Sequence, residues 1–124
     1  MSRLYLLSAF SLSMIPYQGW VHLYLKEVDQ EEARRIIAEA ESKGREVVSA
    51  IGHQSTAQLL SQLLGREVPV NRAMVELRDG DEAIVFQLMV RLPEGKVLSR
   101  EELQQLLSEG KIKLLHIMLS TKFW

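Results

Sequence analysis

The stretch Arg3-Leu4-Tyr5-Leu6-Leu7, close to the start of the chain, decides the fold. Its apolar residues follow one another without the polar alternation of a half-exposed strand, which indicates a strand buried on both faces. A strand of this kind lies in the middle of a sheet. The remaining chain must therefore supply strands on either side of it.

Further strands are predicted for residues 20–26, 73–77, 83–91 and 112–119. In the first of these, Val21, Leu23 and Leu25 share one face, which is typical of a strand with one apolar face. The second and third flank Asp79-Gly80, a pair that strongly favours a β-hairpin turn. Residues 46–51 fit neither a helix nor a strand clearly.

Three helices are indicated by a capping residue, an apolar stripe at helical spacing and a terminating glycine. The caps and glycines are, in chain order, Asp29 and Gly44, Ser55 and Gly65, and Ser99 and Gly110. Ser55 with Gln58, like Ser99 with Glu102, fits the pattern of a capping box. The sequence thus predicts an α/β (α+β layered) fold, with a mixed central sheet of about five strands flanked by helices, in a single domain over residues 1–124.

Composition narrows the classes of function. The chain has 124 residues, of which 47% are hydrophobic and 25% charged, the balance of an ordinary globular protein. A net charge of −1 argues against a protein that binds duplex nucleic acid, which usually carries a basic surplus. No segment approaches the roughly 20 apolar residues that cross a bilayer, so no membrane partner is expected. A chain this small has little room for a deep private pocket, so a large ligand would favour a site shared by two subunits.

The chemistry of metals and common cofactors finds little support in the sequence. There is no cysteine, which excludes disulfides and thiolate catalysis and suits a reducing cytoplasm. His22 and His116 lie within predicted strands, and no H-E-x-x-H or H-x-H pattern supplies the convergent donors of a metal site. Neither a G-x-G-x-x-G motif nor a P-loop is present. We therefore expect no metal and no cofactor.

The segment Gly52-His53-Gln54-Ser55-Thr56 is the most informative for function. It leads from a loop into a helix, where free backbone N–H groups and the helix dipole favour an anion such as a phosphate. His53 would stand beside that anion and could donate a proton near neutral pH. The alternative is that Ser55 only caps the helix and His53 is a surface residue of the loop.

A second group of polar residues lies further along the chain. Gln87 and Arg91 are four positions apart in the predicted strand 83–91, so they would share a face and could bind a phosphate or a base edge. Arg72 would join them if the hairpin pairs as expected. Residues 92–98 form a loop that could close over a ligand. The alternative is a solvated polar face followed by an ordinary connection.

Several of these residues together resemble a known family. The run Ser49-Ala50-Ile51-Gly52-His53-Gln54-Ser55-Thr56 is similar to its I-G-H-x-S-T block, and Arg91-Leu92-Pro93-Glu94-Gly95-Lys96 is similar to its later R-L-x-E-G-K motif. Leu4 to Ser11, Asn71-Arg72 and Gln87 fit in the same order. The resemblance covers roughly residues 3–119. The family is that of the viral anti-CRISPR ring nucleases of type III systems and their host-encoded relatives.

The resemblance implies a metal-independent phosphodiester-cleaving enzyme. Members bind cyclic tetra-adenylate across the interface of a homodimer and cut it to linear di-adenylate through attack of a ribose 2′-hydroxyl, which leaves a 2′,3′-cyclic phosphate. The cleavage switches off type III CRISPR signalling in the cytoplasm of the host cell. By position, the catalytic residues would be His53, as general acid, and Glu94, in the closing loop. The substrate-binding residues would be Ser8, Ser11, Ser55, Arg72, Gln87 and Arg91.

Three other functions compete with this one. A protein that sequesters the cyclic nucleotide without cutting it would need the arginines but not His53. A small interaction protein whose sheet face binds another protein would need none of these residues. An RNA-cleaving toxin would use the same 2′-hydroxyl chemistry, but such toxins are usually more basic than this chain.

Overall fold

The computed structural model describes residues 2–91 and 98–122. The described residues form the following elements: β1 Leu4–Leu7, β2 His22–Val28, α1 Gln30–Ser42, β3 Val47–Ser49, α2 Gln54–Leu64, β4 Glu82–Leu88, α3 Arg100–Ser108 and β5 Ile112–Ser120. A short 3-10 turn covers Leu12–Met14. The strands make one sheet in the order β2-β5-β4-β1-β3. Because β1 is parallel to β3 and β4 while β5 is antiparallel to β4 and β2, the sheet is mixed, and the predicted α+β layered fold is confirmed.

Strand β1 occupies the interior of the sheet, as its sequence predicts. All four of its residues are buried. Leu4 and Leu6 face one hydrophobic cluster, whereas Tyr5 and Leu7 face a second cluster on the opposite side. Each face of β1 is therefore covered, which is the physical reason for its unbroken apolar run.

The two faces of the sheet are covered by different structure. All three helices contribute buried residues to the cluster around Leu4 and Leu6, so they pack on the same face. The opposite face is covered by irregular chain, through Phe10, Met14 and Ile15 from one segment and Val75 and Leu77 from another. The expectation that helices flank the sheet therefore holds for one face only.

The predicted hairpin of residues 73–77 and 83–91 is wrong. The chain does turn at Asp79-Gly80, where Gly80 has a φ of 86°, but residues 71–78 form no strand. Strand β4 pairs with β1 and β5 instead. Val75 and Leu77 alternate because both are buried on the sheet, with the N–H of Leu77 donating to the carbonyl of Met14 at 2.7 Å. Burial of these alternate residues gives the irregular segment the same sequence pattern as a strand.

Strand β2 starts and ends two residues later than predicted, at His22 and Val28, and it lies at the edge of the sheet. Leu23 and Leu25 share a face as expected, but 38% and 59% of their surface is exposed. Alternation shows which residues share a face, but it does not show whether another element reaches far enough to cover that face.

The helix caps agree with the sequence in two cases and differ in one. The Asp29 side chain accepts from the N–H of Glu32 at 2.7 Å, and Ser99 forms the expected capping box with Glu102. The capping box at Ser55 is wrong: the N-cap is His53, two residues earlier, and α2 begins at Gln54. Over residues 2–91 and 98–122, no helix is both long and apolar enough to span a membrane.

Candidate functional site

The carboxyl ends of three neighbouring parallel strands meet at one edge of the sheet. Strands β3, β1 and β4 lie side by side and run in the same direction. The segments that leave them begin at Ser8, Ala50 and Met89. In open sheets with parallel strands, this edge is where ligands commonly bind. It is also the edge to which most of the predicted site residues belong.

His53 lies at this edge, where the chain passes from β3 into α2. It is exposed and has an extended backbone, and its side chain makes no capping hydrogen bond to the helix. The first turn of α2 contains no acidic residue, whereas α1 and α3 each begin with a side-chain cap and two glutamates. The first N–H groups of a helix have no acceptor within it, so the start of α2 can receive an anion.

Arg72 is held against the same loop, although the hairpin that was expected to place it there does not form. Its Nε donates to the carbonyl oxygen of Gly52 at 3.0 Å. A Cβ added at Gly52 would lie 3.5 Å from Cγ of Arg72, so the arginine side chain runs directly over this residue. The structure therefore holds Arg72 against the residue that precedes His53, at the N-terminus of α2.

The three candidate serines have different surroundings. Ser55 is half-buried in the first turn of α2, next to His53. Ser8 is half-buried and follows β1 directly. Ser11 is exposed and caps the 3-10 turn, where its Oγ accepts from the N–H of Ser13 at 3.3 Å. Ser55 thus lies in the helix turn that follows His53, and the other two lie on the neighbouring segment at the same edge.

Gln87 and Arg91 do not share a strand, because β4 ends at Leu88. Gln87 is exposed and pairs in register with Lys113, and Arg91 is exposed three residues beyond the strand. In the part of the chain that the structure describes, no hydrogen bond joins either of them to His53 or Arg72. The predicted role of Glu94 falls outside the described residues.

A polar cluster that sequence reasoning missed lies on the helix-covered face, near the start of β4. Glu82 accepts from Nε2 of His116 at 2.6 Å and forms an ion pair with Arg45. The hydrogen bond from His116, assisted by Arg45, lowers the pKa of Glu82 below its ordinary value of 4.5. These residues are far apart in sequence, and only the register of β4 against β5 brings two of them together. Among the described residues, no group of three or more His, Asp or Glu side chains is arranged to hold a metal ion.

The comparisons with known proteins find mostly viral relatives. A family model described as STIV B116-like matches residues 4–114. The uncharacterized protein ORF116 of Acidianus filamentous virus 1 is 46% identical over 69 residues, which are 56% of this chain and 60% of that protein. The uncharacterized protein 26 of Sulfolobus islandicus filamentous virus is 36% identical over 104 residues, or 83% of each chain. The chain thus spans less than two thirds of the first relative and most of the second.

A solved structure has the same architecture. The protein B116 of Sulfolobus turreted icosahedral virus aligns with a TM-score of 0.85 and 31% sequence identity. The alignment covers 94% of this chain and 99% of that one. The mixed sheet and its helices are therefore those of the B116 fold.

Proposed function

The chain belongs to the STIV B116-like family, and from that premise we propose that it is a metal-independent ring nuclease that cleaves cyclic tetra-adenylate. The observation that carries the proposal is the hydrogen bond from Arg72 to Gly52, the residue before His53, at a helix start that has no side-chain cap. A proton donor, a guanidinium and free backbone N–H groups are what the cleavage of a phosphodiester needs. The proposal also accounts for the two motifs that resemble those of ring nucleases.

The reaction needs no nucleophile from the protein, because the substrate supplies one. The 2′-oxygen of a ribose bonds to the adjacent phosphorus, while the bond from phosphorus to the 5′-oxygen breaks. His53 in its imidazolium form gives its proton to the departing 5′-oxygen, and the proton of the 2′-hydroxyl passes to water. Each cut leaves a 2′,3′-cyclic phosphate, so two cuts convert the ring into two linear di-adenylates.

The protein contributes positioning and charge to this reaction. The N-terminus of α2 and the guanidinium of Arg72 would hold the scissile phosphate, and Ser55 would orient it. Holding the 2′-hydroxyl in line with the leaving oxygen can contribute on the order of 7–11 kcal/mol to lowering the barrier. A positioned acid such as His53 typically adds about 10²–10⁴-fold.

We place the ring across a two-fold dimer. Of the described residues, we assign two arginines of each chain, Arg72 and Arg91, to a ligand that has four phosphates. Two copies related by a two-fold axis would present each residue twice to a ring that itself has rotational symmetry. The net charge of −1 per chain is compatible with this arrangement, since only the shared site needs to be basic.

The test is to incubate the purified protein with cyclic tetra-adenylate in EDTA and to resolve the products by chromatography. The parent protein should yield di-adenylate with a 2′,3′-cyclic phosphate. The variant His53→Ala should bind the ring but cleave it at least about 100-fold more slowly. The matched control is His22→Ala, because His22 lies on the edge strand β2, away from α2.

The possible outcomes separate the competing functions. Binding without cleavage by the parent would replace the enzyme with a protein that sequesters the ring. Equal loss of activity in both histidine variants would remove the specific role of His53. A parent protein that neither binds nor cleaves the ring would leave only the family and its fold.

A further inference from the structure

The loop that carries His53 is held from one side by the chain segment 69–72. The two segments run parallel to each other, with a β-bridge between Ile51 and Val70. On its other side the loop is tied to β1, where the N–H of Ala50 donates to the carbonyl of Leu6 at 2.9 Å. The path from β3 to His53 is therefore fixed from both directions.

Two side chains make the link to segment 69–72. The Ser49 hydroxyl donates to the carbonyl of Pro69 at 2.7 Å, and the Asn71 side-chain amide donates back to the carbonyl of Ser49 at 2.7 Å. The backbone N–H of Asn71 also donates to the carbonyl of Ile51 at 2.8 Å. Ser49 is only 8% exposed, so its hydroxyl is a buried polar group that needs this partner.

We infer that Ser49 and Asn71 are positioning residues, which fix the backbone that places His53 and the N-terminus of α2 against the ligand. Their bonds end two residues before His53, and Arg72 adds the next one through Gly52. In the proposed site Arg72 binds the phosphate. The Ser49 hydroxyl and the side-chain amide of Asn71 instead donate to backbone carbonyl groups of the protein. This inference rests on the proposed function for its catalytic consequence, but the constraint on the loop can be measured without it.

The experiment compares Asn71→Ala and Ser49→Ala with the parent by hydrogen–deuterium exchange in peptides that cover residues 50–58. Both variants should exchange about three- to tenfold faster in this region, because each loses a bond that restrains it. The matched control is Gln30→Ala, which removes an amide-to-carbonyl bond of 2.8 Å to Leu63, at the opposite end of α2. Its exchange over residues 50–58 should stay that of the parent.

A second readout separates positioning from ligand contact. In single-turnover assays with cyclic tetra-adenylate, Asn71→Ala and Ser49→Ala should lower the cleavage rate by about tenfold or more while the Kd changes less than about threefold. Asn71→Asp should be worse than Asn71→Ala at neutral pH, since a carboxylate facing the carbonyl of Ser49 repels it instead of donating to it.

Each result bears on one of the two proposals. Unchanged exchange over residues 50–58 would overturn the positioning role, whatever the activity of the parent. A loss confined to Kd would overturn it as well and would make Asn71 a ligand contact. If the parent shows no cleavage but the exchange rises as expected, the ring nuclease proposal fails while the constraint on the loop stands.

Discussion

Arg72 donates a hydrogen bond from Nε to the carbonyl oxygen of Gly52, at 3.0 Å, directly before His53 at the N-cap position of α2. Nε is the guanidinium nitrogen that links Cδ to Cζ, and this bond uses its single N–H. The two terminal Nη groups remain as donors for an anion in front of the helix. The loop therefore orients the guanidinium, and the guanidinium in turn constrains the loop.

The first prediction is that Arg72→Lys weakens binding of cyclic tetra-adenylate by about tenfold or more, although the charge is kept. A lysine ammonium cannot bond the Gly52 carbonyl and also hold a phosphate with two parallel donors. Isothermal titration in the background of His53→Ala would measure the Kd without turnover. Arg35→Lys is the control, because Arg35 is an exposed residue of α1, and equal affinity of parent and Arg72→Lys would contradict the prediction.

The second prediction concerns acid stability. Because the folded-state pKa of Glu82 is depressed, its contribution is present above the ordinary value of 4.5 and is lost as the pH falls through the lower folded value. Glu82→Gln should reduce the free energy of unfolding by about 2–3 kcal/mol at neutral pH. The difference from the parent should shrink as the pH is brought well below 4.5.

Urea unfolding at a series of pH values measures this difference. The control is Glu41→Gln, which breaks the surface ion pair with Arg66 and should cost at most about 1 kcal/mol. A destabilisation by Glu82→Gln that stays constant across the whole pH range would show that the charge of Glu82 is not what stabilises the fold.

The third prediction tests the turn between the irregular segment and β4. Gly80 has a φ of 86°, a conformation that costs an alanine roughly 1 kcal/mol or more. Gly80→Ala should therefore lower the free energy of unfolding by about that amount. Gly19→Ala is the matched control, since no atom lies within 4 Å of a Cβ added there and its φ is not in the left-handed region. Equal stability of the two variants would contradict the prediction.

The fold could be predicted where local chemistry decides the structure. The unbroken apolar run of β1 specifies a central strand, and the caps at Asp29 and Ser99 fix where α1 and α3 begin. The hairpin could not be judged in this way, because Val75 and Leu77 alternate like a strand while packing as irregular chain. Burial periodicity reports contact with the sheet and not hydrogen bonding within it.

The site could be predicted in part for a similar reason. His53 and Ser55 lie two positions apart in sequence, so both fall at the start of the same helix. Arg72 contacts Gly52 because segment 69–72 runs parallel to residues 49–52. No local sequence pattern predicts that contact. The pairing of Glu82 with His116 likewise depends on strand register, which a single sequence does not specify here.

The fourth prediction follows from the proposed dimer and concerns stoichiometry. If Arg72 and Arg91 must be supplied twice to reach four phosphates, then one ring should saturate two chains, and the particle should have twice the mass of one chain with or without the ring. Titration calorimetry of His53→Ala gives the molar ratio, and light scattering during size-exclusion chromatography gives the mass.

The double variant of Arg72→Ala with Arg91→Ala separates assembly from binding. It should keep the dimeric mass and lose the ring, because both arginines are exposed and neither is part of the protein core. Saturation at one ring per chain by a particle of monomeric mass would refute the shared site. Loss of the dimer in the double variant would instead place these arginines at the contact between subunits.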